Sequence, residues 1–246
     1  IDRMFEATAA LARRDGSLEE AFPNEGSYCV TALVAYDLLC ALDLLRGDIP
    51  ETTAQKWTGI VAPLIGFLHT SDETHAFISN HLATAAAALA RWHATTGCER
   101  SEARAAALLR RILDRQSSEG WFCEYEGADP GYQTLCTYYL ADLHTLRPDW
   151  RLLEPLERSV GFLNHFAHPD GSFGGLYGSR STRFYYPAGF EELAPLVPRA
   201  NALRTFMGRS VASMRTVTLV CMDAPNLAPM FNAYCKAAAL HAKTPE

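Results

Sequence analysis

Two adjacent polar residues, Asn80-His81, interrupt the apolar, alanine-rich run Ile78-Ser79-Asn80-His81-Leu82-Ala83-Thr84-Ala85-Ala86-Ala87. Burying an amide and an imidazole costs free energy unless they are hydrogen-bonded or face a cavity. They read either as core side chains satisfied by neighbouring carbonyls, or as polar groups facing a cavity. Downstream lies Glu119-Gly120-Trp121-Phe122-Cys123-Glu124-Tyr125-Glu126-Gly127-Ala128-Asp129-Pro130-Gly131-Tyr132, rich in carboxylates and rings. Glu124, Glu126 and Asp129 could include the acid and base of glycoside hydrolysis. Asp129 before Pro130 equally suits a helix N-terminus.

Trp121, Tyr125 and Tyr185 could stack on sugar faces, or else pack their loops onto the body of the protein. Arg180 and Arg183, in Gly178-Ser179-Arg180-Ser181-Thr182-Arg183, could fork onto a sugar carboxylate or remain solvated. His165 and His168 have an H-x-x-H spacing beside Asp170, but Pro169 ends the helix there and no third ligand can be named. No metal and no cofactor is expected.

These residues sit on a repeat. Asp15-Gly16 stands to Tyr28 as Glu119-Gly120 stands to Tyr132, thirteen residues from acid to Tyr, with Glu20 and Glu124 in equivalent places. A looser copy runs from Asp170-Gly171-Ser172-Phe173-Gly174-Gly175 to Tyr185 and Tyr186. The unit is helix, acid-Gly loop, helix.

The spacing of apolar residues predicts helices over 2–14, 27–46 (Ser27 as N-cap), 51–69, 71–97, 100–116, 132–146, 151–166, 199–222 and 225–242. Pro63 predicts a kink or break in the third. A long loop spans 168–189, and no segment alternates as a strand would. Successive antiparallel helical hairpins, alternately more apolar, indicate an all-α protein, an α/α toroid.

The 246 residues suffice for one domain over 1–246, which could be a piece of a longer chain. A formal net charge of −6 argues against a nucleic-acid binder. Of 22 basic residues only Lys56, Lys236 and Lys243 are lysines, which suits carboxylate recognition or reflects coding bias. Seven scattered cysteines without a C-x-x-C argue against a disulfide framework or zinc site. No bilayer-spanning run and no signal-peptide pattern is read, so no membrane partner is expected. Localisation is left open, with a soluble cytoplasmic protein the working expectation.

Asn80-His81 in its Ala-rich helix, followed by Glu119-Gly120…Glu124…Pro130-Gly131-Tyr132-Gln133, resembles the toroidal domain of heparinase II/III-type polysaccharide lyases over about residues 75–146. The resemblance implies β-elimination on a uronic-acid polysaccharide. Asn80 would bind the carboxylate, His81 would be its partner or the base, and Tyr132 would exchange the proton. A Tyr must be near positive charge to ionise at neutral pH, which Arg180 and Arg183 could supply. Full-length members carry a β-rich domain after the toroid; nothing here is similar to it, so a further domain could be missing. Gln116-Ser117-Ser118-Glu119-Gly120-Trp121 and the Asp170 loop also resemble loops of terpene cyclases and protein prenyltransferases. Those are toroids too, but this chain has no D-x-D-D run. The expectation is a lyase-like protein acting on an acidic polysaccharide or oligosaccharide, with Glu124, Trp121, Tyr125, Arg180, Arg183 and Tyr185 binding substrate. The alternatives are a glycoside hydrolase on the same fold and a non-catalytic sugar-binding or assembly toroid.

Overall fold

A computed structural model describes residues 1–243. Its α-helices are α1 (Asp2–Leu11), α2 (Tyr28–Leu45), α3 (Glu51–Thr70), α4 (Ser79–Thr96) and α5 (Glu99–Leu113), followed by α6 (Pro130–Leu146), α7 (Leu153–Leu163), α8 (Ala188–Leu193), α9 (Pro198–Ala212) and α10 (Ala224–His241). Among the described residues there is no strand, only isolated bridges such as Ile78 with Glu124. The all-helical reading holds, with local differences. Helix α4 starts at Ser79 rather than near 71, because Ser71-Asp72, which reads as a cap, lies in an irregular loop. Helix α3 continues through Pro63. Helix α8, only six residues long, is too short to leave a periodic signal.

The chain divides into two compact units, residues 1–75 with 81–110, and residues 76–80 with 111 onward. In the first unit α2 and α1 pack on α3. Phe5 stacks on Trp57 with ring centroids 4.3 Å apart. The buried residues of α3, Ala54, Trp57, Val61, Leu64, Ile65 and Leu68, fall on one stripe at helical spacing. By length and composition α2 could cross a bilayer, with mean hydropathy 1.7, which the sequence reading did not anticipate. Its packing on α3 and its buried Tyr36, Leu39 and Leu42 account for that character as core.

In the second unit α6 packs against α7 and α8, and α8 against α9 and α10. Thirteen of the 17 residues of α6 are buried, so it is an inner helix on nearly every face. Asp129 caps it by accepting from the Tyr132 amide at 3.1 Å, and Pro130 supplies a preset φ at the first helical position.

The repeat appears in the backbone. The amide of Arg13 donates to the Ser17 carbonyl, that of Ser117 to Trp121 and that of His168 to Ser172, each at 2.9 Å. Inside these turns Gly16, Gly120 and Gly171 donate to Arg13, Ser117 and His168, with φ of +87°, +99° and +90°. Each Gly abuts a neighbouring segment. A Cβ on Gly16 would fall 2.0 Å from the Pro63 carbonyl oxygen, and one on Gly120 2.3 Å from that of Arg158. The acids support two of the turns alike, Asp15 and Asp170 accepting from the amide and hydroxyl of Ser17 and Ser172.

Gly120→Ala should therefore lower stability by at least the ~1–3 kcal/mol of a strained backbone, read from the midpoint of chemical denaturation. An unchanged midpoint would remove this turn as the device that seats the loop on α7.

Candidate functional site

The second unit gathers its polar loops around the N-terminus of α6. Asp129 is 0% exposed, and besides capping α6 it holds the third loop. Its Oδ2 accepts from the amides of Arg180 at 3.0 Å and Thr182 at 3.3 Å, and its Oδ1 from the Thr182 hydroxyl. The Ser179 amide donates to the Ala128 carbonyl at 2.7 Å beside this anchor. Gly178 and Gly131 make the approach possible, since a Cβ on either would meet Ala128 or Thr182 at about van der Waals overlap.

Residues 77–80 and 123–125 run alongside each other. The Ser79 amide donates to the Cys123 carbonyl at 3.1 Å and the Tyr125 amide to Phe77 at 2.8 Å. That pairing brings Asn80 Nδ2 to 2.8 Å from Glu124 Oε1, with the two residues 2% and 3% exposed. Burial pushes the Glu124 carboxyl up to about 8; the Asn80 hydrogen bond opposes this, the Asp129 charge adds to it and the Arg180 guanidinium opposes it. At neutral pH Glu124 thus holds a proton, the state a general acid requires.

Next to it, Tyr125 adopts a left-handed backbone at φ +59°, which turns the chain back from the Glu124–Gly127 turn. The exposed Arg180 places its guanidinium 5.1 Å from the ring centre of Tyr125 and 4.9 Å from that of Tyr132. Its Nη1 donates to the Tyr125 hydroxyl at 3.0 Å. Tyr132 is half-buried, edge-on to Phe184, with its hydroxyl 3.5 Å from Asn226 of α10.

The structure thus brings together Asn80, Glu124, Tyr125, Tyr132 and Arg180. His81 lies in the first unit, hydrogen-bonded to Glu73. Trp121 is half-buried and donates its indole N–H to Glu119 at 3.1 Å. Arg183 is exposed. Tyr185 is 1% exposed, set between Phe173 and Phe190, with a buried hydroxyl that has no partner among the described residues, so it packs the core rather than lining the loop cluster. The reason is local: the chain enters the core at Tyr185-Tyr186, ahead of α8.

His168 Nε2 pairs with the Gly174 carbonyl at 2.7 Å, a loop contact. A set that sequence inspection missed, His93, Glu99 and Glu102, brings one ligand atom each within 4.8 Å at the α4–α5 corner. Sequence inspection also missed Glu73, Thr182 and Asn226. Their partners lie 8, 53 and 94 residues away, and no local pattern marks them.

No family model and no curated protein sequence matches the chain. Solved structures do. The fold is the α/α toroid of certain glycoside hydrolases. The GH76A alpha-1,6-mannanase from Salegentibacter sp. HEL1_6 superposes with a TM-score of 0.72 at 12% identity, over 100% of this chain and 81% of that one. An inactive variant of the same mannanase with two neighbouring aspartates replaced, in complex with alpha-1,6-mannotetrose, gives 0.69 at 11% identity, over 100% and 82%. A glycosyl hydrolase of family 88 from Bacteroides vulgatus gives 0.53 at 10% identity, over 80% of this chain and 67% of that one. At such identities the likeness is one of fold. It is a likeness to hydrolases, and no lyase stands among these three.

The raised Glu124 carboxyl has a thermodynamic signature. An unfolded Glu releases its proton near its ordinary value of 4.5, the folded one at about 8. Between these values the folded state binds more protons, so stability falls as pH rises, by up to about 1.4 kcal/mol per unit. Glu124→Gln keeps an acceptor for Asn80 and cannot ionise. The variant should gain on the parent as pH rises from 5 to 8 in urea titrations; a gap independent of pH would mean that Glu124 ionises normally.

Proposed function

We propose that the protein is a glycoside hydrolase whose site is the loop cluster at the N-terminus of α6, acting on an oligosaccharide that bears an acidic sugar. One observation carries this reading: a buried carboxyl, Glu124, that keeps its proton at neutral pH beside an exposed arginine on two tyrosine rings. The toroidal fold it shares with glycoside hydrolases supports the same class.

Glu124 delivers its proton to the glycosidic oxygen as the bond to the anomeric carbon breaks, so the leaving sugar departs as an alcohol. Asp129 is ill-suited to the partner role, because four donors hold its carboxylate as an anchor. Glu126, exposed in the same turn, is the carboxylate that can meet a water or the anomeric carbon. Arg180 takes the sugar carboxylate by a charge-assisted fork. Elimination is the weaker reading here, since Asn80, the residue needed to neutralise the substrate carboxylate, has an amide hydrogen committed to Glu124.

A non-catalytic sugar-binding toroid is favoured by a different observation. The mannanase variant is inactive with two neighbouring aspartates replaced, and this sequence contains no Asp-Asp pair. Its adjacent acids are Glu19-Glu20, Asp72-Glu73 and Glu191-Glu192.

The two readings, and the lyase, separate in one assay. Neutral alpha-1,6-linked mannan fragments and uronic-acid oligosaccharides are incubated with the protein, and new reducing ends and unsaturated product are measured. Hydrolysis predicts reducing ends without ultraviolet absorbance, a loss of about 10²–10⁴-fold in Glu124→Gln, and little change in Tyr132→Phe. Arg180→Ala should weaken acidic substrates more than neutral ones. Unsaturated product abolished by Tyr132→Phe would return the chain to the lyases, and binding without turnover would leave the sugar-binding toroid.

A further inference from the structure

Glu73, in the loop between α3 and α4, and His81, in the first turn of α4, form a pair in the first unit that the Glu124 cluster does not include. His81 Nδ1 lies 2.6 Å from Glu73 Oε2, with side chains 19% and 8% exposed. The other oxygen of Glu73 accepts from the His75 amide at 2.9 Å, so both carboxylate oxygens are held. Burial pushes the Glu73 carboxyl up, but the hydrogen bonds from His81 and the His75 amide, with the nearby imidazoles, outweigh it and leave it below its ordinary value.

An ionised carboxylate only accepts, so the hydrogen in the short contact belongs to His81 Nδ1. In a neutral imidazole that makes Nε2 the acceptor. Nε2 has no hydrogen-bond partner among the described residues, and it is not among the buried polar atoms that lack one, so it reaches solvent. A histidine held only as a core polar residue would have both ring nitrogens engaged.

We propose that Glu73 and His81 form a carboxylate–imidazole dyad, in which Glu73 is the positioning residue and His81 Nε2 accepts the proton of a ligand hydroxyl. The O–H bond breaks with its electron pair left on oxygen, and an Nε2–H bond forms. The resulting imidazolium is neutralised by Glu73, and the proton is given back when the oxygen is released. That the ligand is a saccharide rests on the function proposed above; the dyad itself does not.

The test uses the full chain with ¹⁵N-labelled histidine, and His81 is assigned by difference from His81→Gln. The parent should show the Nδ1–H tautomer, and diethyl pyrocarbonate should modify His81 at Nε2. Glu73→Ala should lose both the tautomer preference and the rapid modification, and Glu73→Asp should restore them in part. An Nε2–H tautomer in the parent would overturn the dyad, as would a signature unchanged in Glu73→Ala. Should the Ala variant not fold, the parent spectrum and the Asp variant decide. Failure to find hydrolysis would leave these readouts untouched, so the two proposals fail separately.

Discussion

Asp129 is a buried carboxylate with four donors aimed at it, and the organisation of the second unit follows from meeting that demand. A buried carboxyl left without partners is costly, and losing one hydrogen bond to such a group costs about 1.5–3 kcal/mol. One donor is the first turn of α6, and the other three belong to the loop that carries Arg180 and Thr182. A single side chain therefore ends one loop, starts the inner helix and fixes a second loop more than fifty residues later. Arg180 sits over Tyr125 and Tyr132 because its own backbone amide is tied to this carboxylate.

The two acids of this neighbourhood are set apart by what surrounds them. Asp129 has four donors on its two oxygens, from the first turn of α6 and from the third loop. Glu124 has the Asn80 amide and a distant guanidinium, too little to offset burial, so the proton stays on. A buried carboxyl that keeps its proton is what acid catalysis at neutral pH calls for. The charge on Asp129 adds to the shift on Glu124, so the anchor also tunes the acid.

Much of the frame was legible before the structure was known. The acid-Gly turns announce themselves through Gly at fixed offsets, because a positive φ and close backbone contact admit little else. Ser27 and Asp129 are recognisable as caps from their type and position, and both act as caps. Asn80, singled out as a polar residue in an apolar run, and Glu124, singled out as an acid of the central loop, do meet. What stayed hidden was set by distance along the chain. Thr182 and Asn226 are ordinary loop and helix residues until a partner 53 or 94 positions away is brought to them. Tyr185 looked available because it follows a polar loop; burial depends on where that loop re-enters the core, which composition does not encode.

The equal spacing of Tyr28 and Tyr132 from their acids turns out to be a match of count rather than of place. The first loop caps its helix at Ser27, twelve residues after Asp15, and the second at Asp129, ten after Glu119. Tyr28 therefore opens its helix, whereas Tyr132 is the third residue of its own and donates its amide to the cap. Glu124 is buried against Asn80, while Glu20, at the same distance from its acid, stays exposed and accepts from the Ser27 hydroxyl. Equal spacing from the leading acid thus leaves one carboxylate solvated and the other buried with its proton kept. What decides the surroundings of the second acid is the segment beside it, residues 77–80, which Cys123 and Tyr125 pair with through the backbone.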